Sequence, residues 1–254
     1  MVRFIVVIIS CFFLILYYVP KMSYYARHPD SVRIRLLFRC RFHLFEEEKC
    51  YRLARKVVQR FKKRGRISTV STGTENLPQE GGYIMYANHQ GKYDALGIIG
   101  EHQKPCTFVM DAKRSKLFIA DQFCSLLRAK RLEKGNIRQQ VEIINEVATE
   151  IEAGRRYILF PEGGYDHNHN TLNEFMPGSF KIAKKAGCPI VPVVLYDSYK
   201  PFEGRSLRSV VTQLAFLEPI PYEDYESLST SEIRDMVVNI IQQKMNTMSG
   251  MNNW

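Results

Sequence analysis

Cysteine is sparse and scattered in this chain: Cys11, Cys40, Cys50, Cys106, Cys124 and Cys188, with no Cys-x-x-Cys pair among them. That spacing argues against a disulfide framework and against a zinc ribbon, and it fits a reduced, cytosolic setting. Tryptophan occurs once. No Gly-x-Ser-x-Gly elbow is present, so a serine nucleophile carrying an acyl-enzyme intermediate is not indicated. There is no internal repeat. Nor is there a nucleic-acid recognition motif or an aromatic stacking array, so nucleic acid is not an expected partner. Charged residues at 24% and fifteen glycines are ordinary for a globular domain and exclude wholesale disorder.

What is present begins with 254 residues of 45% hydrophobic content, enough to bury one sizeable core. The formal net charge of +10 calls for an anionic partner, such as membrane phospholipid or a phosphorylated substrate. Residues 1–20 carry one charge, Arg3, and then an apolar run closing on Tyr17-Tyr18-Val19-Pro20. A full span needs ~20 apolar residues, and no small-residue cleavage site follows the run. The reading is a retained membrane anchor, crossing or lying in the interface. Lys21, Arg27, Arg33, Arg35, Arg39 and Arg41 follow it, which places the bulk of the protein at the cell membrane on the cytoplasmic side.

Residues 21–66 form a second, basic and helical segment. Its apolar stripe is Ile34, Leu37, Phe38, Leu44, Leu53, Val57 and Phe61. Arg52, Arg55, Lys56, Arg60, Lys62, Lys63 and Arg64 make a cationic cluster, and each such charge next to a membrane anchor gains ~1 kcal/mol from an anionic membrane surface.

From residue 67 to 254 short strands alternate with helices. Strands are predicted at 66–72, 83–87, 107–110, 157–160 and 190–195, the last broken by Pro192. Helices are predicted from Asp94 to Gly100, after an Asn136 cap with stripe Val141, Ile144, Val147 and Ile151, and after a Ser229/Glu232 capping box. Such alternation implies an α/β domain with a largely parallel central sheet flanked by helices.

Chemistry concentrates at two strand ends. Tyr83–Ala87 runs into Asn88-His89, and Asp94 follows in the spacing His-x-x-x-x-Asp. An imidazole can take a proton from an alcohol at physiological pH, and a carboxylate on its other nitrogen sets the tautomer. The second junction is Phe160-Pro161-Glu162-Gly163-Gly164, where a proline stops the strand, a carboxylate stands at the sheet edge and two glycines admit a ligand to the backbone. Asp166, His167 and His169 suggest a metal-dependent hydrolase as a rival. With asparagines between them they read as a solvated loop, and no metal ligand is assigned.

His89 with Asp94, then Phe160–Gly163, then Val191-Pro192-Val193, in that order, resemble the glycerolipid (lysophospholipid) acyltransferase family over roughly Ser68 to Phe216. The resemblance implies transfer of an acyl group from a thioester, acyl-CoA or acyl-carrier protein, to a free hydroxyl. Within the family the implied acceptor is a lysophospholipid, 1-acyl-glycerol 3-phosphate, giving phosphatidic acid in phospholipid biosynthesis. No cofactor is implied beyond the thioester co-substrate. His89 is then the general base and Asp94 its orienter. Glu162, Gly163, Gly164, Lys113 and Lys134 hold the acceptor, and Asn88, Phe160, Pro161, Val191 and Pro192 support the site. This sequence departs from the family pattern in two places. Lys134, in Arg131-Leu132-Glu133-Lys134, stands where an arginine is usual, and Gly164-Tyr165 replaces a common Thr-Arg. An acyltransferase acting on another lysolipid is the enzymatic alternative; a membrane-tethered lipid-binding module without catalysis is the non-enzymatic one, and intact His89, Asp94 and Glu162 speak against it.

Overall fold

The computed structural model describes residues 39–203 and 208–250. The apolar segment 1–20 and the start of the basic segment, 21–38, lie outside the described residues. Among the described residues no helix is long and apolar enough to cross a membrane.

Seven strands form one sheet: β1 (Ile67–Thr72), β2 (Tyr83–Ala87), β3 (Thr107–Asp111), β4 (Lys130–Leu132), β5 (Arg156–Leu159), β6 (Ile190–Tyr196) and β7 (Val210–Phe216). Their order is β1-β7-β6-β2-β5-β3-β4. Every pairing is parallel except β6 with β7. The described helices are α1 (Arg39–Gly65), α2 (Asp94–Glu101), α3 (Phe118–Leu126), α4 (Ile137–Glu152), α5 (Lys181–Ala186), α6 (Lys200–Glu203) and α7 (Thr230–Gly250).

The sheet separates two cores, and the two-residue period of each strand divides its side chains between them. In β6, Val191, Val193 and Leu195 face one core, while Ile190, Val194 and Tyr196 face the other. The first core is closed by α1 through Tyr51, Ala54 and Val58, by α2 through Ile98 and Ile99, and by α3 through Phe123 and Leu126. The second is closed by α4 through Val147 and Ile151, and by α7 through Ile233, Val237 and Ile241. Both faces are covered, which is why the central strands β2 and β6 read as continuous apolar runs.

Several sequence expectations need correction. Pro192 does not break β6. Its carbonyl accepts from the Leu217 amide at 2.9 Å, so its missing N–H falls between the β6–β7 ladder and the isolated Ile190–Ile220 bridge. A proline there costs one bond at a ladder's end and leaves the pairing with β2 intact. Val141 is exposed, and Ile143, Val147, Ala148 and Ile151 form the buried stripe of α4. The basic cluster of α1 does not all face outward. Lys62 is buried against Glu101, and Arg55 donates to the Gly100 carbonyl at 3.3 Å. Strands β4 and β7 and helices α3, α5 and α6 have no counterpart among the predicted elements. The caps are as expected: Asn136 accepts from the Gln139 amide at 3.1 Å, and Ser229 and Glu232 bond each other's amides at 3.3 and 2.8 Å.

Beneath β2 lies a closed polar cluster. His102 is wholly buried, its Nδ1–H donates to the Lys104 carbonyl at 2.7 Å, and the Tyr83 hydroxyl donates to Nε2 at 2.6 Å. Burial pushes the imidazole down to about 4. The folded state therefore binds fewer protons than the unfolded chain, whose histidine titrates near ~6.5. The stabilisation is complete above ~6.5 and is lost as pH falls toward about 4, by up to ~1.4 kcal/mol per pH unit. Denaturation midpoints measured through that window should fall with acid in the native chain and more shallowly in His102→Gln. Equal slopes would assign the acid sensitivity to other groups.

Candidate active site

The C-terminal ends of β2, β3, β4, β5 and β6 share one edge of the sheet, because these strands run parallel. Ligands of open α/β sheets bind outside such an edge. Asn88 continues β2 past Ala87 with its side chain. Its carboxamide nitrogen donates to the Leu195 carbonyl at 2.9 Å and its oxygen accepts from the Leu195 amide at 2.8 Å. Asn88 thus replaces a further strand residue and fixes where the chain turns away from the sheet.

The turn delivers His89 against Asp94, with Nδ1 2.6 Å from Oδ2. A carboxylate only accepts, so Nδ1 carries the proton and Nε2 keeps its lone pair. Asp94, the first residue of α2, has no solvent exposure and is filled with donors. Its Oδ2 also accepts from the amides of Gln90 at 2.6 Å and Gly91 at 2.9 Å, and its Oδ1 accepts from the Ser198 hydroxyl. The imidazole lies flat on Phe160, with centroids 4.3 Å apart, and meets the edge of Tyr165 at 4.7 Å.

Glu162 belongs to the same arrangement. Its Oε1 accepts from the His89 amide at 2.8 Å, and Oε2 lies 3.3 Å from the Asn173 amide. Burial pushes its carboxyl up to about 7, against the opposing pull of these donors. The Phe160–Gly163 turn closes through the Gly163 amide and the Phe160 carbonyl at 3.1 Å, and the Met176 amide bonds the Pro161 carbonyl at 2.9 Å. Gly163 has φ +67°, and a Cβ on it would run into the methyl of Met176. Gly164 is half-buried, and the Lys134 ammonium lies 3.7 Å from where its Cβ would stand. Lys134 is therefore brought to the turn, while Lys113 stands exposed just past the end of β3. Val191 and Pro192 are buried in β6 and do not line the open edge of the site.

Four contributors carry no local signal in the sequence. Ser198 reaches Asp94 across 104 residues. The Gln90 carboxamide accepts from the Ser198 amide at 3.0 Å and donates to Asn170 at 2.9 Å. Asn168 donates to the His89 carbonyl at 3.2 Å. Arg114 lies over the Tyr165 ring, 4.8 Å from its centroid, so a cation stands one residue away from the imidazole. The Asp166–Asn170 run, read as a solvated loop, is instead partly tied into the site through its asparagines. Its histidines point elsewhere: His167 and His169 each contact one oxygen of Glu203 at 3.1 Å. Among the described residues no three His, Cys, Asp or Glu side chains are grouped to hold a metal.

A mostly parallel α/β sheet thus brings a His–Asp pair and a Pro-Glu-Gly-Gly turn together at one edge, an arrangement able to take a proton from a hydroxyl. The chain belongs to the Acyltransferase family, whose model matches residues 68–196. It is similar to the 1-acyl-sn-glycerol-3-phosphate acyltransferase alpha of Ovis aries, 30% identical over 171 residues, covering 65% of this chain and 58% of that one. The chain thus spans less than two thirds of that relative's length. It is also similar to the 1-acyl-sn-glycerol-3-phosphate acyltransferase of Borreliella burgdorferi, 29% identical over 186 residues, covering 69% of this chain and 72% of that one. In fold it matches the crystal structure of the 1-acyl-sn-glycerophosphate (LPA) acyltransferase PlsC from Thermotoga maritima, with a TM-score of 0.68 over 96% of both chains at 21% identity.

Asn88→Ala would leave the amide and carbonyl of Leu195 buried without partners. Each such group costs about 1–3 kcal/mol, so for the two a loss of about 2–6 kcal/mol in unfolding free energy is expected by urea denaturation. A variant as stable as the native chain would mean that the β2 end is held by other contacts.

Proposed function

We propose that this chain transfers a fatty acyl group from an acyl thioester, acyl-CoA or acyl-carrier protein, to the free hydroxyl of 1-acyl-glycerol 3-phosphate, forming phosphatidic acid. The observation that carries this reading is the His89–Asp94 pair, held with Nε2 available beside the Glu162–Gly164 turn. The activities for which the Ovis aries and Borreliella burgdorferi relatives are named support the choice of acceptor.

In this mechanism the acceptor hydroxyl lies between His89 and the thioester carbonyl. As its oxygen forms the new bond to carbon, Nε2 takes the proton, and the imidazolium is stabilised by the Asp94 carboxylate on Nδ1. Collapse of the tetrahedral adduct breaks the carbon–sulfur bond, and the thiolate leaves with the proton carried by His89. No covalent enzyme intermediate is required, because a thioester is reactive enough for direct attack. Glu162 fixes the His89 backbone and, on its outer side, assists in holding the glycerol part. The acceptor phosphate is held by Lys134 and Lys113, with Arg114 beside Tyr165 as a third cation.

The chain works at the cytoplasmic face of the cell membrane. Residues 1–20 anchor it, segment 21–66 adds basic contacts such as Lys56 and Lys63, which are exposed on α1, and 67–254 forms the catalytic domain. The contact of Tyr51, Ala54 and Val58 with the core couples the basic helix rigidly to that domain.

His89→Ala should lower turnover ~10²-fold or more while the variant still folds, at the stability cost of one of Asp94's four donors. Labelled acyl thioester, a panel of lysolipid acceptors and analysis of the product test both the reaction and the residue. Near-native turnover by the variant would exclude this mechanism.

Lysine binds phosphate as a point charge without the bidentate fork of arginine. Lys134→Ala should therefore raise the acceptor KM several-fold while the thioester KM changes less. Lys134→Arg should retain acceptor use or improve it. An unchanged acceptor KM in Lys134→Ala and Lys113→Ala would point to an acceptor without a phosphate.

A further inference from the structure

Large apolar side chains exposed to solvent are few among the described residues, and their placement is uneven. Leu117 and Phe118 are each 60% exposed at the start of α3, beside Ile119. Ile137, 76% exposed, opens α4 just beyond the end of β4, and the half-exposed Met176 is bonded through its amide to Pro161. All of these follow strands β3, β4 and β5 at their C-terminal ends, the edge that carries His89. Val141 is exposed one turn beyond Ile137 on α4, and the remaining two, Val70 and Val211, lie on β1 and β7 at the far side of the sheet.

The flanks of this apolar tip are basic. Lys113, Arg114 and Lys116 are exposed immediately before Leu117, and Lys134 is exposed three residues before Ile137. From Asp111 to Ile137 the chain has seven Lys and Arg against three Asp and Glu; Arg131 is paired with Asp121 at 2.7 Å and Lys130 with Glu146 and Glu150 at 2.9 and 2.7 Å, and Lys113, Arg114, Lys116 and Lys134 stand exposed around the apolar side chains. Apolar side chains at a tip ringed by cations match the interface of an anionic bilayer, with hydrocarbon below and phosphate level with the lysines. A protein partner of ordinary composition would not call for so one-sided a charge.

We propose that Leu117, Phe118 and Ile137 insert into an anionic membrane surface and seat the sheet edge on it, so that an acceptor lipid reaches His89 without leaving the bilayer. The Arg114–Tyr165–His89 chain of contacts joins this surface to the imidazole. This is a second membrane contact, distinct from residues 1–20, and it rests on the lipid acceptor proposed above for the same site.

The test uses the full chain carrying Phe118→Trp and Trp254→Phe, which moves its one tryptophan to the tip, bound to vesicles of phosphatidylcholine and phosphatidylglycerol. Emission should move to shorter wavelength and be quenched by phospholipids brominated high on the acyl chain. Unquenched emission would overturn the proposal, as would emission that depends on protein concentration rather than on lipid, which would assign the tip to a second copy. In parallel, Leu117→Ser with Phe118→Ser should lower turnover of acceptor embedded in vesicles on the order of tenfold, while changing that of a monomeric short-chain acceptor less than about twofold. Equal losses on both acceptors would make the tip a structural element and overturn the proposal. If the native chain acylates neither acceptor, the proposed reaction fails while the tryptophan signal still decides the membrane contact.

Discussion

Asp94 has no contact with solvent, and a carboxylate so placed must receive from the protein the hydrogen bonds that water would have supplied. It receives four: from the His89 ring, from the amides of Gln90 and Gly91, and from the Ser198 hydroxyl. These donors come from the end of β2, the turn after it and the loop after β6. Meeting the demand of one side chain therefore fixes three backbone segments at once. Removing the carboxylate would cost more than the orientation of an imidazole, because each of those segments would lose the anchor it closes on.

The parts of the site that were legible in the sequence are those whose geometry is local. His89 and Asp94 lie within one turn, and Phe160–Gly164 is a single junction, so residue type and spacing nearly determine the arrangement. The α/β class was legible for the same reason, since apolar period and cap chemistry are short-range signals. What escaped depends on folding. Asn88 finds Leu195 across 107 residues, and Arg114 finds Tyr165 only because the ends of β3 and β5 meet. Strand β7 was missed because its burial alternates weakly, and the prediction of a break at Pro192 failed because the ladder it would interrupt already ends there.

Charge is divided between two jobs. On α1, Lys62 and Arg55 turn inward to bond Glu101 and the last turn of α2, so part of the basic cluster serves packing. The cations that follow β3 and β4 remain outward at the edge of the sheet, with the Lys134 ammonium beside Gly164. A positive net charge over the whole chain thus says less than the position of each cation relative to the sheet's C-terminal edge.

The antiparallel insertion of β7 between β6 and β1 has a consequence for the order in which the chain folds. β1 has no other neighbour in the sheet, and its register pairs Ile67 with Val210. During synthesis β1 leaves the ribosome early and waits for more than half the polypeptide before its partner exists, while β2, β3, β5 and β6 can already assemble. Such long-range closure slows folding and leaves strand edges open in the interim. The nascent protein therefore spends that interval with two unsatisfied edges, β1 and the outer side of β6, and it is β7 that closes both.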